Sequence, residues 1–173
     1  MAEYSVRTLI GGVGYWYLRD GSLGPALVAE LGREPWPDGT SIEDLSYGPI
    51  AVMQRLQDVT ASLERLVLVS AVRRGRRPAG TVSAYRWDGK LPDEEQVQAR
   101  VAEAVTGVIS LDNLLAVAGF FGALPAEVLV VEVEPEDEGW GEGFSDTLEA
   151  VRPRVIETIR ELGVQGGSRL IPA

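Results

Sequence analysis

Leu66-Val67-Leu68-Val69 is an unbroken aliphatic run, and its reading decides the fold. A strand half open to water alternates apolar and polar residues. A strand covered on both faces does not, and it belongs in the middle of a parallel sheet. Val128-Leu129-Val130-Val131 repeats the pattern near the other end of the chain, and Tyr4 to Ile10 supplies a third strand. Between these runs the periodicity changes to that of helices. Pro25 sits early in a helix with Leu27, Val28 and Leu31 inward, and Pro49 opens one that buries Ile50, Met53 and Leu56. Asp93 with Gln96 has capping-box spacing for a helix to about Ala104. Ser110 caps the next, with Leu111, Leu114, Leu115 and Ala118 inward, and Gly122 and Pro125 stop it. Ile42 to Ser46 and Thr81 to Trp87 read as shorter strands. Leu148, Val151, Val155, Ile159 and Leu162 make an amphipathic C-terminal helix, kinked or restarted at Pro153 and ended by Gly163. The alternation predicts one α/β domain over residues 1–173, a three-layer α/β/α sandwich with a mostly parallel central sheet. The strands near 4–10, 66–71 and 127–134 should be neighbours in it.

Composition narrows the chemistry. The chain of 173 residues has no cysteine and no histidine. Disulfides, thiolate ligands and a cysteine nucleophile are excluded, and so are the commonest metal ligand and the commonest general base. The net charge is −10, from 16 basic and 26 acidic residues. Duplex binding depends on basic residues that neutralise phosphates, so nucleic acid is not an expected partner. No apolar run reaches membrane-span length, and the N-terminal Met1-Ala2-Glu3-Tyr4-Ser5 lacks a charged-then-apolar leader. The expectation is a cytoplasmic protein with no membrane partner.

Four segments have the composition to do something. Gly11-Gly12-Val13-Gly14 follows the first strand, and such a turn can cradle phosphate at a helix N-terminus. Tyr17 stands where a dinucleotide fingerprint has its third glycine, so a plain tight turn is the leading reading and a small-ligand or phosphate-binding module a lesser one. Arg73-Arg74-Gly75-Arg76-Arg77 is a basic cluster in an acidic chain. It is either a solvated loop or a contact, through Arg73, Arg74, Arg76 and Arg77, for an anionic tail or an acidic partner face. Tyr15-Trp16-Tyr17 is either a lid on the core or a contact surface, and Trp36, between two prolines, could join it. Glu132, Glu134, Glu136, Asp137 and Glu138 read as a solvated acidic stretch.

Five landmarks in order carry a family resemblance. They are Gly14-Tyr15-Trp16-Tyr17-Leu18-Arg19-Asp20-Gly21-Ser22-Leu23-Gly24 before Pro25; Asp44 to Gly48; Leu66 to Ala71 with Pro78-Ala79-Gly80; Ser110 to Leu115 through Pro125; and Val131 to Pro135 with Trp140 to Ser145. Together they resemble the hydrogenase maturation endopeptidases, whose opening motif is Gly-Asn-x-x-x-x-Asp-(Asp or Glu)-Gly-x-Gly. The resemblance implies a phosphorylase/hydrolase-like sandwich and, as partner, a nickel–iron hydrogenase large subunit precursor or a related maturation factor. Nickel in that target would be the recognition element. The resemblance puts the family's metal ligands at Gly21, Ser70 and Gly107, none of which carries a carboxylate or an imidazole. Asp20, Asp44 and Asp112 are the residual candidates for an all-oxygen site. The implied protein has the fold without the metal centre, a pseudoenzyme with a chaperone-like role. It would bind or escort a hydrogenase subunit or pair with an active protease. An active endopeptidase working through an atypical site, removing the subunit's C-terminal tail, is the alternative. The chain itself is expected to hold no cofactor.

Overall fold

The protein is described by a computed structural model over residues 6–171. Tyr4 and Ser5 of the expected first strand, and the whole leader reading of Met1 to Ser5, lie outside the described residues. Five strands form one sheet: β1 (Thr8–Gly12), β2 (Thr40–Asp44), β3 (Arg65–Ala71), β4 (Val82–Arg86) and β5 (Glu127–Val133). Their order is β2-β1-β3-β5-β4. The β1–β2, β1–β3 and β3–β5 pairs are parallel, and β4 alone runs antiparallel, on the outer side of β5. The three apolar runs are therefore adjacent, as their composition requires.

Side chains alternate across β3. Leu66 and Leu68 join Leu9, Val128 and Val130 on one face, and Val67 and Val69 join Ile10, Leu129 and Val131 on the other. Helices α2 (Pro49–Val59), α3 (Glu94–Val105) and α4 (Leu111–Phe120) cover the first face, and α1 (Leu23–Leu31) and α5 (Asp146–Gln165) cover the second. This is the expected three-layer sandwich. Ser110 accepts from the Asn113 N–H and the Asn113 side chain accepts from the Ser110 N–H, a complete capping box that fixes where α4 starts.

Several expectations need correction. The second strand starts at Thr40, two residues before Ile42, because it pairs in register with Thr8. Val52 is fully buried in α2, whereas Ile50 is only partly so. Gly11 and Gly12 are strand residues rather than a turn. A Cβ on Gly12 would lie 2.2 Å from the Gly24 carbonyl oxygen, so the glycine allows α1 to pack directly against β1. Pro153 neither breaks nor restarts α5, which is continuous over 20 residues. Nor does Gly163 end it. A Cβ there would come within 2.9 Å of both Ile10 and Trp36, so this glycine serves close packing, and Gly166, at φ 76°, ends the helix. Among the described residues no helix is long and apolar enough to cross a membrane.

Candidate functional site

Parallel sheets bind ligands beyond the C-terminal ends of their strands, where the chain crosses between layers. A cavity of about 220 Å³ opens there. Its floor is Val13 and Gly14 beyond β1 and Ser70 and Ala71 of β3; Gly21, Tyr15 and Leu18 wall one side, and Ile109 to Asp112 the other. Gly21 and Ser70 are thus brought together. Gly107 does not reach the cavity. It lies in the exposed turn between α3 and α4, at φ 84°, and from that segment buried Ile109 and exposed Ser110 line the cavity instead. Ser70 is buried and donates its hydroxyl to the Val13 carbonyl at 2.8 Å.

The three residual aspartates do not converge. Asp20 is fully buried in a 3-10 turn (Arg19–Ser22). Its carboxylate accepts from the backbone N–H groups of Glu136, Asp137 and Ser145 and from the Ser145 hydroxyl, at 2.7–2.9 Å. This is the structural use of an aspartate that turns favour, and Asp20 is not among the residues that line the cavity. Asp44 is exposed at the end of β2, where it accepts from the Trp16 indole N–H and the Ser46 N–H. Asp112 does lie on the cavity rim, but Arg74 holds it in a two-pronged ion pair at 2.8 and 3.0 Å. Among the described residues no three acids cluster as a metal site would require.

The glycine-rich stretch after β1 is not a phosphate cradle either. Val13 N–H donates to the Val69 carbonyl, Gly14 N–H to Ser46 Oγ, and Tyr15 N–H to the Gly21 carbonyl. The donors an anion would need are engaged.

The arginine loop and the acidic stretch, both expected to be solvated or outward-facing, neutralise each other. The β3–β5 pairing sets them side by side. Arg74 bridges Asp112 and Glu132, Arg77 bridges Glu132 and Glu134, and Arg73 pairs with Glu138. Glu132 and Glu134 are each only 3% exposed, which corrects their reading as surface charges. Arg76 alone of the four forms no ion pair among the described residues. Hydrogen bonds donated to Glu132 and Asp112 hold the Arg74 guanidinium far above its ordinary range. Burial, with the Glu132 carboxylate alongside, raises the Tyr85 phenol, which donates to Glu132 at 3.1 Å. Burial pushes Glu134 upward, but N–H bonds from Arg74 and Gly75 and the Arg77 guanidinium outweigh it, and its net shift is downward.

The aromatic segment is both lid and surface. Tyr15 covers the cavity, its hydroxyl accepting from the Ile109 N–H at 2.8 Å. Trp16 and Tyr17 face solvent, and Tyr17 packs against Trp140. Trp36 does not join them. Its indole N–H donates to the Leu31 carbonyl, and its half-buried ring packs against the core beside Ile10 and Gly163.

The sequence supports this architecture from outside. HoxM of Azotobacter vinelandii, a hydrogenase expression/formation protein, is 30% identical over 167 residues, which cover 93% of this chain and 76% of that protein. The chain belongs to the hydrogenase maturation endopeptidase family. The E. coli hydrogenase maturating endopeptidase HybD superposes with a TM-score of 0.66 at 24% identity, over 88% of this chain and 89% of HybD. HycI of Thermococcus kodakarensis, a nickel–iron hydrogenase maturation protease, gives 0.65 at 17% identity, over 91% of this chain and 92% of that one. These structures share the fold. No family sequence model matches the chain.

The side chains do not fit the family's metal. Gly21 offers no donor atom, the Ser70 hydroxyl is turned to a carbonyl, and Gly107 is outside the cavity. The residues that organise this edge instead are Glu132 and Glu134, which read as solvated in the sequence alone, and Ser145, to which the sequence reading gives no role. A sequence signal existed for Ser145, which caps α5 by accepting from the Leu148 N–H.

Proposed function

We propose that this chain is a non-catalytic member of its family. It binds or escorts a nickel–iron hydrogenase large subunit precursor, or pairs with an active protease, in the cytoplasm. The observation that carries this reading is the internal commitment of the polar groups at the cavity. Ser70 is bonded to Val13, Asp20 to four donors of its own loops, and Asp112 to Arg74. Amide hydrolysis needs an activated water or nucleophile and a group that stabilises the oxyanion. The chain has neither histidine nor cysteine to supply the first, and a serine without a base is a weak nucleophile.

The test is to incubate the protein with nickel-loaded precursor, follow the subunit by intact mass, and run a pull-down in parallel. Capture without shortening is the expected result, and multiple-turnover cleavage overturns the reading. A companion measurement is metal analysis after nickel or zinc loading and desalting. We expect well under one equivalent. Stoichiometric metal that is lost in Asp112→Ala contradicts the reading, since Asp112 and Glu138 are the acids lining the cavity and Asp112 has the more exposed side chain.

A further inference from the structure

The arginine loop is paired within the fold, and the surface left open beside the cavity has the opposite character. Residues 16 to 22 are stitched to the loop after β5. Arg19 N–H donates to the Gly141 carbonyl and Gly141 N–H to the Tyr17 carbonyl, with the Asp20 carboxylate beneath. Tyr17 (φ 69°) and Arg19 (φ 42°) both occupy the left-handed region without being glycine. Such strain persists where the surroundings over-determine it. Its result is display: Tyr17 is 54% exposed and Trp140, with its ring centroid 6.5 Å from that of Tyr17, is 82% exposed. Trp16 is fixed beside them by its bond to Asp44.

Next to these rings lies a second cavity of about 400 Å³, walled by Trp16, Tyr17, Phe144, Glu142, Glu149 and Arg152 among others. Its one base is engaged, since Arg152 pairs with both Glu30 and Glu149. Glu142 has no ionic partner among the described residues. The uncompensated charge of the pocket is therefore a carboxylate, set among aromatic faces. Aromatic faces attract cations, and a carboxylate accepts a guanidinium fork. The helix termini nearby do not reverse this sign. Ser22 and Ala26 bring the start of α1 to the pocket wall, but Leu23, Gly24 and Pro25 between them are buried, Gly24 against Val13 and Val69, and Asp146 and Glu149 offset the N-terminus of α5.

We propose that this second cavity seats an arginine side chain from an extended segment of a partner polypeptide, its guanidinium packed on Trp16 and Tyr17 and paired with Glu142. The proposal takes from the binding reading above only that a polypeptide partner exists. One loop serves both cavities, Tyr15, Leu18 and Gly21 facing the first and Trp16, Tyr17 and Ser22 the second, so a segment crossing it meets both.

The test uses the whole chain labelled with 5-fluorotryptophan, whose four fluorine resonances are assigned by single Trp→Phe variants. The probe is a blocked peptide of glycines around one arginine, with citrulline and glutamate peptides as controls. The Trp16 resonance should move saturably with the arginine peptide and Trp140 should follow, while Trp36 and Trp87 stay. Glu142→Gln should weaken binding about threefold or more, the size of one exposed charge contact. Equal shifts with citrulline, or a Trp16 resonance that does not move, overturn the proposal. The two readings fail separately. Precursor capture that is indifferent to Glu142→Gln removes this site and leaves the hydrogenase reading standing. Arginine-peptide binding without precursor capture does the reverse.

Discussion

Asp20 and Glu132 are both buried carboxylates at one edge of one sheet, held by opposite means. Asp20 has no cation against it. Three backbone N–H groups and a hydroxyl surround it, and the backbone of the 136–145 loop is shaped around its two oxygens. Glu132 is surrounded by side chains: two guanidinium groups and a phenol. The first carboxylate organises a path of the chain and the second cancels charge between layers. A buried acid with neutral donors works as a template, since its removal strands fixed N–H groups. A buried acid with ionic partners works as a counter-ion, since its removal strands charges that a second substitution can remove.

That contrast breaks most visibly at Asp20→Ala. Four donors lose their acceptor in a dry site, and at ~1–3 kcal/mol for each stranded group, with some relaxation, the expected destabilisation is about 4 kcal/mol. Urea unfolding measures it, and a loss below ~1 kcal/mol would mean that the 136–145 loop is held by something else. Glu132→Gln comes next, at about 2–3 kcal/mol, less than for a fully enclosed pair because Arg74 and Arg77 keep some water contact. Adding Arg74→Met to Glu132→Gln should recover part of that loss, whereas no second substitution should rescue Asp20→Ala. Recovery in both, or in neither, would erase the distinction.

Acid sharpens the same comparison. Glu134 and Glu127 are both shifted downward on folding. Burial opposes the shift in each case, outweighed by backbone N–H bonds and Arg77 for Glu134, and by Arg65 and the Gly167 N–H for Glu127. A carboxyl with a lowered folded-state pKa contributes stability that is complete above its unfolded value, here 4.5, and is lost as pH falls through the folded one. The urea midpoint should therefore decline below about pH 4.5. With no histidine in the chain, it should stay level from about pH 5 to 8. A step inside that interval would contradict the assignment. The smallest effect belongs to Arg76→Gln, which should change stability by less than ~0.5 kcal/mol, unlike the same change at its three paired neighbours.

The central strands were legible in the sequence because burial on both faces leaves an unbroken aliphatic run, and Ser110 announced α4 because its cap is a local event. Asp20, a residual metal candidate by sequence, was not legible, because all four of its donors lie more than a hundred residues further along the chain. The Arg73–Arg77 and Glu132–Glu138 segments were not. Each taken alone is a solvated charge run, and only the adjacency of β3 and β5 shows that they face each other. Gly163 and Trp36 misled together. A glycine late in a helix reads as a stop and a tryptophan between prolines as exposed, until the two are seen in contact. The sequence could rule out the family's metal ligands by residue type, but could not foresee that Ser70 would turn its hydroxyl to Val13.

The place of β4 in the sheet has a consequence for how the chain is made. Residues 82–86 pair only with residues 129–133 of β5, and β5 also supplies the outer neighbour of β3. During synthesis from the N-terminus, β1, β2 and β3 can assemble while β4 has no strand to join until β5 emerges. Until then one edge of β3 is open, with unpaired N–H and carbonyl groups along a largely apolar strand, a template for pairing with another nascent chain. Truncation just before residues 127–133 should therefore yield aggregate rather than a smaller folded protein.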